Sequence, residues 1–248
     1  SGVVHISITA DITTTQTAQL VSTNYQVIIR PVEQRSLTIT AANKSLIHLN
    51  GTQHVVIDGV SLSGDSTLAL ISTATNNTSP VILLENDATQ NRISNCTIRG
   101  GTITSSALGL FYGVVALRNA TGSIGCDLDT ISGNIIREAM PTALPFVGIS
   151  MVGRSAAIMN NDCVIADNQI VNIFNPTGIS DGIFSLRFNT GTQITGNHIY
   201  LTAPLQGNSA TQAANMRGIE IGDGNSSSLA GGFVIRGNWI GGTAPFCG

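Results

Sequence analysis

Charge is scarce in this 248-residue chain: Asp, Glu, Lys and Arg together make up 10%, against about 25% in an ordinary soluble protein. Lysine occurs once, at Lys44, and the net charge is -3 with no basic run. The chain therefore has nothing with which to neutralise a row of phosphates, and a nucleic-acid partner is not expected. No apolar stretch approaches the ~20 residues a helix needs to span a bilayer. The four cysteines, Cys96, Cys126, Cys163 and Cys247, lie 30, 37 and 84 residues apart with no C-x-x-C pair, which argues against a zinc centre. His5, His48, His54 and His198 show no i, i+4 spacing, and no phosphate-binding glycine loop or nucleophile–base pair stands out. No metal and no cofactor are expected.

What is present is β-branched and small. The chain is 42% hydrophobic, with 30 Ile, 21 Asn and 27 Gly, a composition that excludes disorder. One short pattern recurs six times. It reads Ile57-Asp58-Gly59-Val60-Ser61-Leu62, Ile93-Ser94-Asn95-Cys96-Thr97-Ile98 and Ile131-Ser132-Gly133-Asn134-Ile135-Ile136. It continues as Ile165-Ala166-Asp167-Asn168-Gln169-Ile170, Ile194-Thr195-Gly196-Asn197-His198-Ile199 and Ile235-Arg236-Gly237-Asn238-Trp239-Ile240. The first residues are 36, 38, 34, 29 and 41 apart. A second register interleaves: Gly113, Gly148, Gly182 and Gly218 each open an apolar run and lie 35, 34 and 36 apart.

Alternating apolar and polar residues broken by Gly, Asn and Asp are the pattern of short strands separated by tight turns. A unit of about 35 residues cannot bury its apolar face alone, so units stack. The expected architecture is all-β: a right-handed parallel β-helix of about six coils spaced about 4.8 Å apart. Asn134, Asn168, Asn197 and Asn238 share one position at a bend, where stacked amides satisfy one another as an inward structural ladder. Val60 and Cys96 hold that position in the first two units, which makes Cys96 a buried filler. Residues 1–45 do not carry the repeat. Val3 to Thr9, Tyr25 to Val32 and Ser36 to Ala41 look like strands, and the stretch is assigned to an N-terminal cap and lead-in coils ahead of the repeats at 46–248. Thr13 to Asn24 is the one plausible short helix.

Sugar-cleaving chemistry needs clustered carboxylates. Asp127, Asp129 and Asp162 approach one another if equivalent loops stack. Asp181, Arg187, Arg217, Glu220 and Asp223 flank the Gly-initiated strands and form the best candidate acid/base or sugar-binding group. Glu220 aligns with Ser185, Ser150 and Ala116, an outward position where a solvated charge is ordinary. Arg118, Arg187 and Glu85 close their strands and suggest a surface ion-pair ladder. The outward column Ser61, Thr97, Ile135, Gln169, His198, Trp239 ends in a contact surface at His198 and Trp239, suited to a sugar ring or a protein groove. Should the chain be oxidised, Cys126–Cys163, in neighbouring loops, is the disulfide pairing to test first.

Several stretches resemble a known type of β-helix module, the pectin-lyase-like repeats of very large secreted or surface proteins of Bacteroidetes exported by the type IX system. The matching residues are Leu49-Asn50-Gly51, Val56-Ile57-Asp58-Gly59, Leu84-Glu85-Asn86-Asp87-Ala88 and Asn95-Cys96-Thr97-Ile98-Arg99-Gly100. Ile194-Thr195-Gly196-Asn197 and Gly237-Asn238-Trp239-Ile240-Gly241-Gly242, running on to Cys247-Gly248, match as well. The resemblance covers about residues 45–248 and implies an extracellular or outer-surface location, a larger parent and an adhesin or filament-like role. With no signal peptide and a stop just after a repeat, the chain reads as a segment of something longer. The expected function is thus a non-catalytic structural or adhesive module whose partners are itself, end to end, or surface glycans. The alternative is a carbohydrate-active β-helix: a polysaccharide lyase, a hydrolase or a glycan-binding domain.

Overall fold

The structure is a computed structural model that describes residues 2–21, 25–61, 64–65, 68–74, 79–101, 113–176, 178–203, 215–222 and 230–241. Every paired strand runs parallel to its neighbours. Sheet one stacks eight strands, Val3–Ile8, Gln26–Pro31, Val55–Asp58, Arg92–Ser94, Thr130–Ser132, Val164–Ala166, Gln193–Thr195 and Val234–Arg236. Sheet two also has eight: Ile12–Thr14, Arg35–Ile39, Leu68–Ser72, Thr97–Gly100, Ile135–Glu138, Gln169–Val171, His198–Tyr200 and Trp239–Ile240. Sheet three has seven, from Ala18–Val21 through Ile47–Asn50, Ile82–Glu85, Val115–Arg118, Val147–Val152 and Ile179–Arg187 to Asn215–Ile221. A small fourth sheet joins Asn160–Asn161, Asn189–Thr190 and Ala230–Gly231. The chain visits sheets one, two and three in turn and then repeats, which makes a parallel β-helix solenoid.

Each of the last five units of the Ile-x-Gly-Asn-x-Ile repeat is one corner of a coil: the last residues of a sheet-one strand, a turn, and the start of a sheet-two strand. The first, Ile57 to Leu62, differs, because its sheet-two strand starts only at Leu68, so Ala69 and not Ser61 stands beside Thr97. The third motif residue takes the left-handed backbone, with φ of 58° at Asn95, 66° at Gly133, 55° at Asp167, 66° at Gly196 and 63° at Gly237. Gly, Asn and Asp adopt that region at least cost, so the motif's composition follows from the turn. Residues 3–50 build two further coils without this motif. The segment Thr13–Asn24, expected as a short helix, instead holds the strand Ala18–Val21 and the end of Ile12–Thr14. Pairing of Leu20 with Leu49, which continues as Leu84 and Leu117, outweighs any local helical preference.

Isoleucines fill the interior in columns. Ile29, Ile57, Ile93, Ile131, Ile165 and Ile194 are in register in sheet one. Leu70, Ile98, Ile136, Ile170 and Ile199 are in register in sheet two. All belong to one continuous apolar core. Burying each such side chain contributes about 1.5–3 kcal/mol.

In sheet three the glycine register has a geometric reason. A Cβ at Gly148 would lie 2.6 Å from Ile170 Cγ2, and one at Gly182 would lie 2.6 Å from Ile199 Cγ2. These glycines face the core, and so do the isoleucines that follow them, Ile149 and Ile183. Two successive inward residues make a local bend that breaks the strand's two-residue alternation. It turns Val147 and Phe184 to the opposite face, where they pack with Val152, Leu186 and Phe146 in a second apolar cluster.

Ile131→Ala should cost about 2–5 kcal/mol, the range for truncating a fully buried side chain. Ile135→Ala, on the outward face of the next strand, should cost much less. Urea midpoints of the two variants check this.

Candidate functional site

Asn134, Asn168, Asn197 and Asn238 stand in single file through successive coils. The backbone N–H and Nδ2 of Asn134 both donate to Oδ1 of Asn168, each at 3.0 Å. Asn168 donates the same pair to Asn197 at 3.1 and 3.0 Å, and Asn197 to Asn238 at 2.9 and 2.9 Å. Each Nδ2 also donates to a carbonyl of the preceding coil, Ile93, Ile131, Ile165 and Ile194 in turn. Cys96 heads the column, its N–H donating to Asn134 Oδ1 at 3.0 Å. Asn134, Asn168 and Asn197 are fully buried, so these amides are spent internally and hold no ligand.

Of the carboxylate group on sheet three, three members meet. Arg217 lies beside Asp181 in register and donates Nε to Asp181 Oδ1 at 2.7 Å and Nη2 to Oδ2 at 3.0 Å. Its Nη1 donates to Glu220 Oε1 at 2.6 Å, and its Nη2 pairs with Oε2. Residues three apart on a strand ordinarily face opposite ways; the bend at Gly218 puts Arg217 and Glu220 on one face. Burial raises the Asp181 carboxyl above the usual carboxylate range against the pull of Arg217. Burial and then the negative charge of Asp181 do the same to Glu220. The Asp181 side chain is only 3% exposed, which keeps a substrate from it. Arg187 ends the strand six residues beyond Asp181, about 20 Å along an extended chain, and its guanidinium lies 5.9 Å from the Phe188 ring. Asp223 lies outside the described residues. The register places Phe184, not Ser185, beside Glu220: each is the second residue after its glycine, Gly182 and Gly218.

A second polar column, which the repeat does not mark, lies at the corner between sheets three and one. Asn91 donates its N–H and Nδ2 to Asp129 Oδ1 at 2.8 and 3.1 Å, and Nδ2 to the Thr52 carbonyl at 3.1 Å. Asp129 is fully buried, its Oδ2 has no hydrogen-bond partner, and burial holds its carboxyl well above the usual range. Asp127 accepts the N–H and Nδ2 of Asn161 at 2.7 and 3.0 Å, and burial raises it, with the nearby Asp162 charge adding. Asp87 behaves oppositely. Burial pushes it up, but N–H groups of Ser123, Ile124 and Gly125 at 2.7–3.0 Å outweigh this and hold it low. Among the described residues no group of three His, Cys, Asp or Glu is placed to hold a metal.

Cys126 and Cys163 are free thiols rather than a disulfide, as is Cys96; Cys247 lies outside the described residues. The two occupy different columns, Cys126 below Asn160 and Cys163 above Asp129. Cys163 Sγ donates to the Cys126 carbonyl at 3.2 Å, while Cys126 Sγ turns to the Arg118 carbonyl at 3.5 Å. Burial raises both thiols well above their usual range.

On the sheet-three surface, His48 Nε2 lies 3.0 Å from Glu85 Oε2, and Arg118 Nη1 lies 3.6 Å from Glu85 Oε1. On sheet two, His198 pairs with Trp239 in register, their ring centroids 5.8 Å apart and planes inclined at 30°. Trp239 is 55% exposed.

Asp129→Asn should stabilise the fold, because an amide Nδ2 can donate where the carboxyl oxygen has no partner. A carboxyl raised in the folded state loses stability as pH climbs from about 4 towards the folded value. The gain should therefore be small at pH 4 and about 1–3 kcal/mol at pH 8, read from urea unfolding at both values. Asp181→Ala should cost about 1–3 kcal/mol by removing the buried carboxylate that takes two of the Arg217 hydrogen bonds, while Glu220 keeps the guanidinium paired. Glu220→Gln should cost less, as thermal unfolding would report.

No family model matches the chain, and comparison with curated proteins and with solved structures finds no match.

Proposed function

We propose that the chain is a non-catalytic extracellular or cell-surface module with a structural or adhesive role. In this reading it is a pectin-lyase-like rod of the kind found in large secreted proteins of Bacteroidetes that use type IX export, and it stacks end to end. One observation carries the proposal. The first and last described coils expose the same columns: Ile6 continues the column of Ile235, and Ile12 that of Ile240, at 41, 48, 50 and 58% exposure respectively. A second copy, or further repeats of a larger parent, laid on either end in the same sense would extend each isoleucine column and each parallel ladder together. Low charge favours such contact, since little repulsion opposes it.

The carbohydrate-active alternative draws on the meeting of Asp181, Arg217 and Glu220. Against it stands their arrangement: one carboxylate is buried and both are engaged by the same guanidinium.

Sedimentation velocity should show rods that lengthen with concentration, and electron micrographs should show fibres of uniform width. The pair Ile6→Lys and Ile240→Lys should abolish both, because an inward charge blunts a sheet edge. Single, unassociating particles at high concentration, or polysaccharide cleavage lost in Glu220→Gln, would count against the proposal.

A further inference from the structure

We propose that the outward face of sheet two, over its last three strands, is a platform on which a neutral polysaccharide lies along the rod. This deepens the adhesive reading above and rests on it, but it uses the side of the solenoid and not its ends.

Register builds the platform. Gln169, His198 and Trp239 follow one another in one outward column, continuing Thr97 and Ile135. Tyr200 stands one position over in the neighbouring outward column. Gln169, His198 and Trp239 are exposed and Tyr200 is partly so. The Tyr200 hydroxyl donates to Gln169 Oε1 at 3.1 Å, which ties the phenol edge to the amide. The Trp239 and His198 rings neighbour each other, 5.8 Å apart and inclined at 30°. Each ring projects from a strand paired with its neighbour, which fixes the backbone beneath it.

The chemistry of this surface selects its ligand. Aromatic faces are apolar with polar tips at their rims. A pyranose ring has the matching character, with C–H groups on its face and hydroxyls around its edge. Here the rings supply the stacking surface, while the Gln169 amide, the His198 imidazole and the Tyr200 hydroxyl supply donors and acceptors beside it. Asp, Glu, Lys and Arg are missing from the column running from Thr97 to Trp239, and the two arginines of the Tyr200 column, Arg99 and Arg137, lie on earlier strands than the platform's three, which favours an uncharged sugar over an acidic one. The coil repeat of about 4.8 Å is close to the length of one pyranose residue, so a linear polymer can place successive sugars over successive coils. A protein partner fits less well: a specific interface takes about 800 Å² from each side, and the exposed Ile235 and Ile240 belong to inward columns that face along the rod.

The chain has a single Trp, so fluorescence excited selectively at Trp, beyond the tyrosine absorption, reports from the platform alone. Titration with cello- and chito-oligosaccharides should give a saturable change in Trp emission, with affinity rising with oligomer length. Calorimetry should find affinity reduced at least tenfold in Trp239→Ala and in His198→Ala, and within a few-fold of the original in Trp239→Phe, which keeps a stacking face. Three results would overturn the platform: no emission change with any oligosaccharide, unaltered affinity in Trp239→Ala, or preference for polygalacturonate over the neutral sugars. Chromatography of the bound sugars separates the two readings: intact oligosaccharide supports both, while cleavage products would overturn the non-catalytic reading and leave the platform standing.

Discussion

Lateral pairing of each strand with its counterpart one coil away is the constraint on which everything else in this molecule depends. Because all of that pairing is parallel and in register, a side chain's principal neighbours are its counterparts in the coils before and after. Any residue type that suits a position once therefore suits it repeatedly: isoleucine inside, asparagine at the corner, glycine where the third sheet bends inward. The single insertion in the third sheet's pairing, between Met151 and Val152, comes after the glycine bend and leaves the core columns intact.

Columns also govern what a polar group costs. A buried asparagine is tolerable here because its two donors and its acceptor all find partners in adjacent coils. Asp129 occupies a comparable corner with acceptors only, and one of its oxygens goes unpartnered. Arg217 deals with two carboxylates at once, but only because backbone geometry brings Asp181 and Glu220 to the same side. Identical chemistry thus yields a comfortable ladder, a strained carboxyl or a locked ion cluster according to what the adjoining coils supply.

Much of this was legible in the sequence. The Ile-x-Gly-Asn-x-Ile spacing specifies a strand, a left-handed corner and another strand, and its recurrence specifies stacking. The parts that were not legible have physical causes. The coils within residues 3–50 turn their corners without the Gly-Asn step, so Ala18–Val21 had only its own weak local pattern to show. Asn91, Asp129, Asn160 and the Asp87 turn sit where connections vary in length, so no fixed period exposes them. Cys126 and Cys163 are near in space yet serve separate columns, and proximity alone does not aim two sulfurs at each other.

The corner asparagines have one more property. From Asn134 to Asn168, from Asn168 to Asn197 and from Asn197 to Asn238, each asparagine donates two hydrogen bonds to the next one towards the C-terminus. The column is a chain of dipoles all aligned in one direction along the rod. Flipping a unit end over end would set like against like. Any fibre made from this solenoid is for that reason a vectorial object, with a distinguishable plus and minus end and a single direction of growth for each.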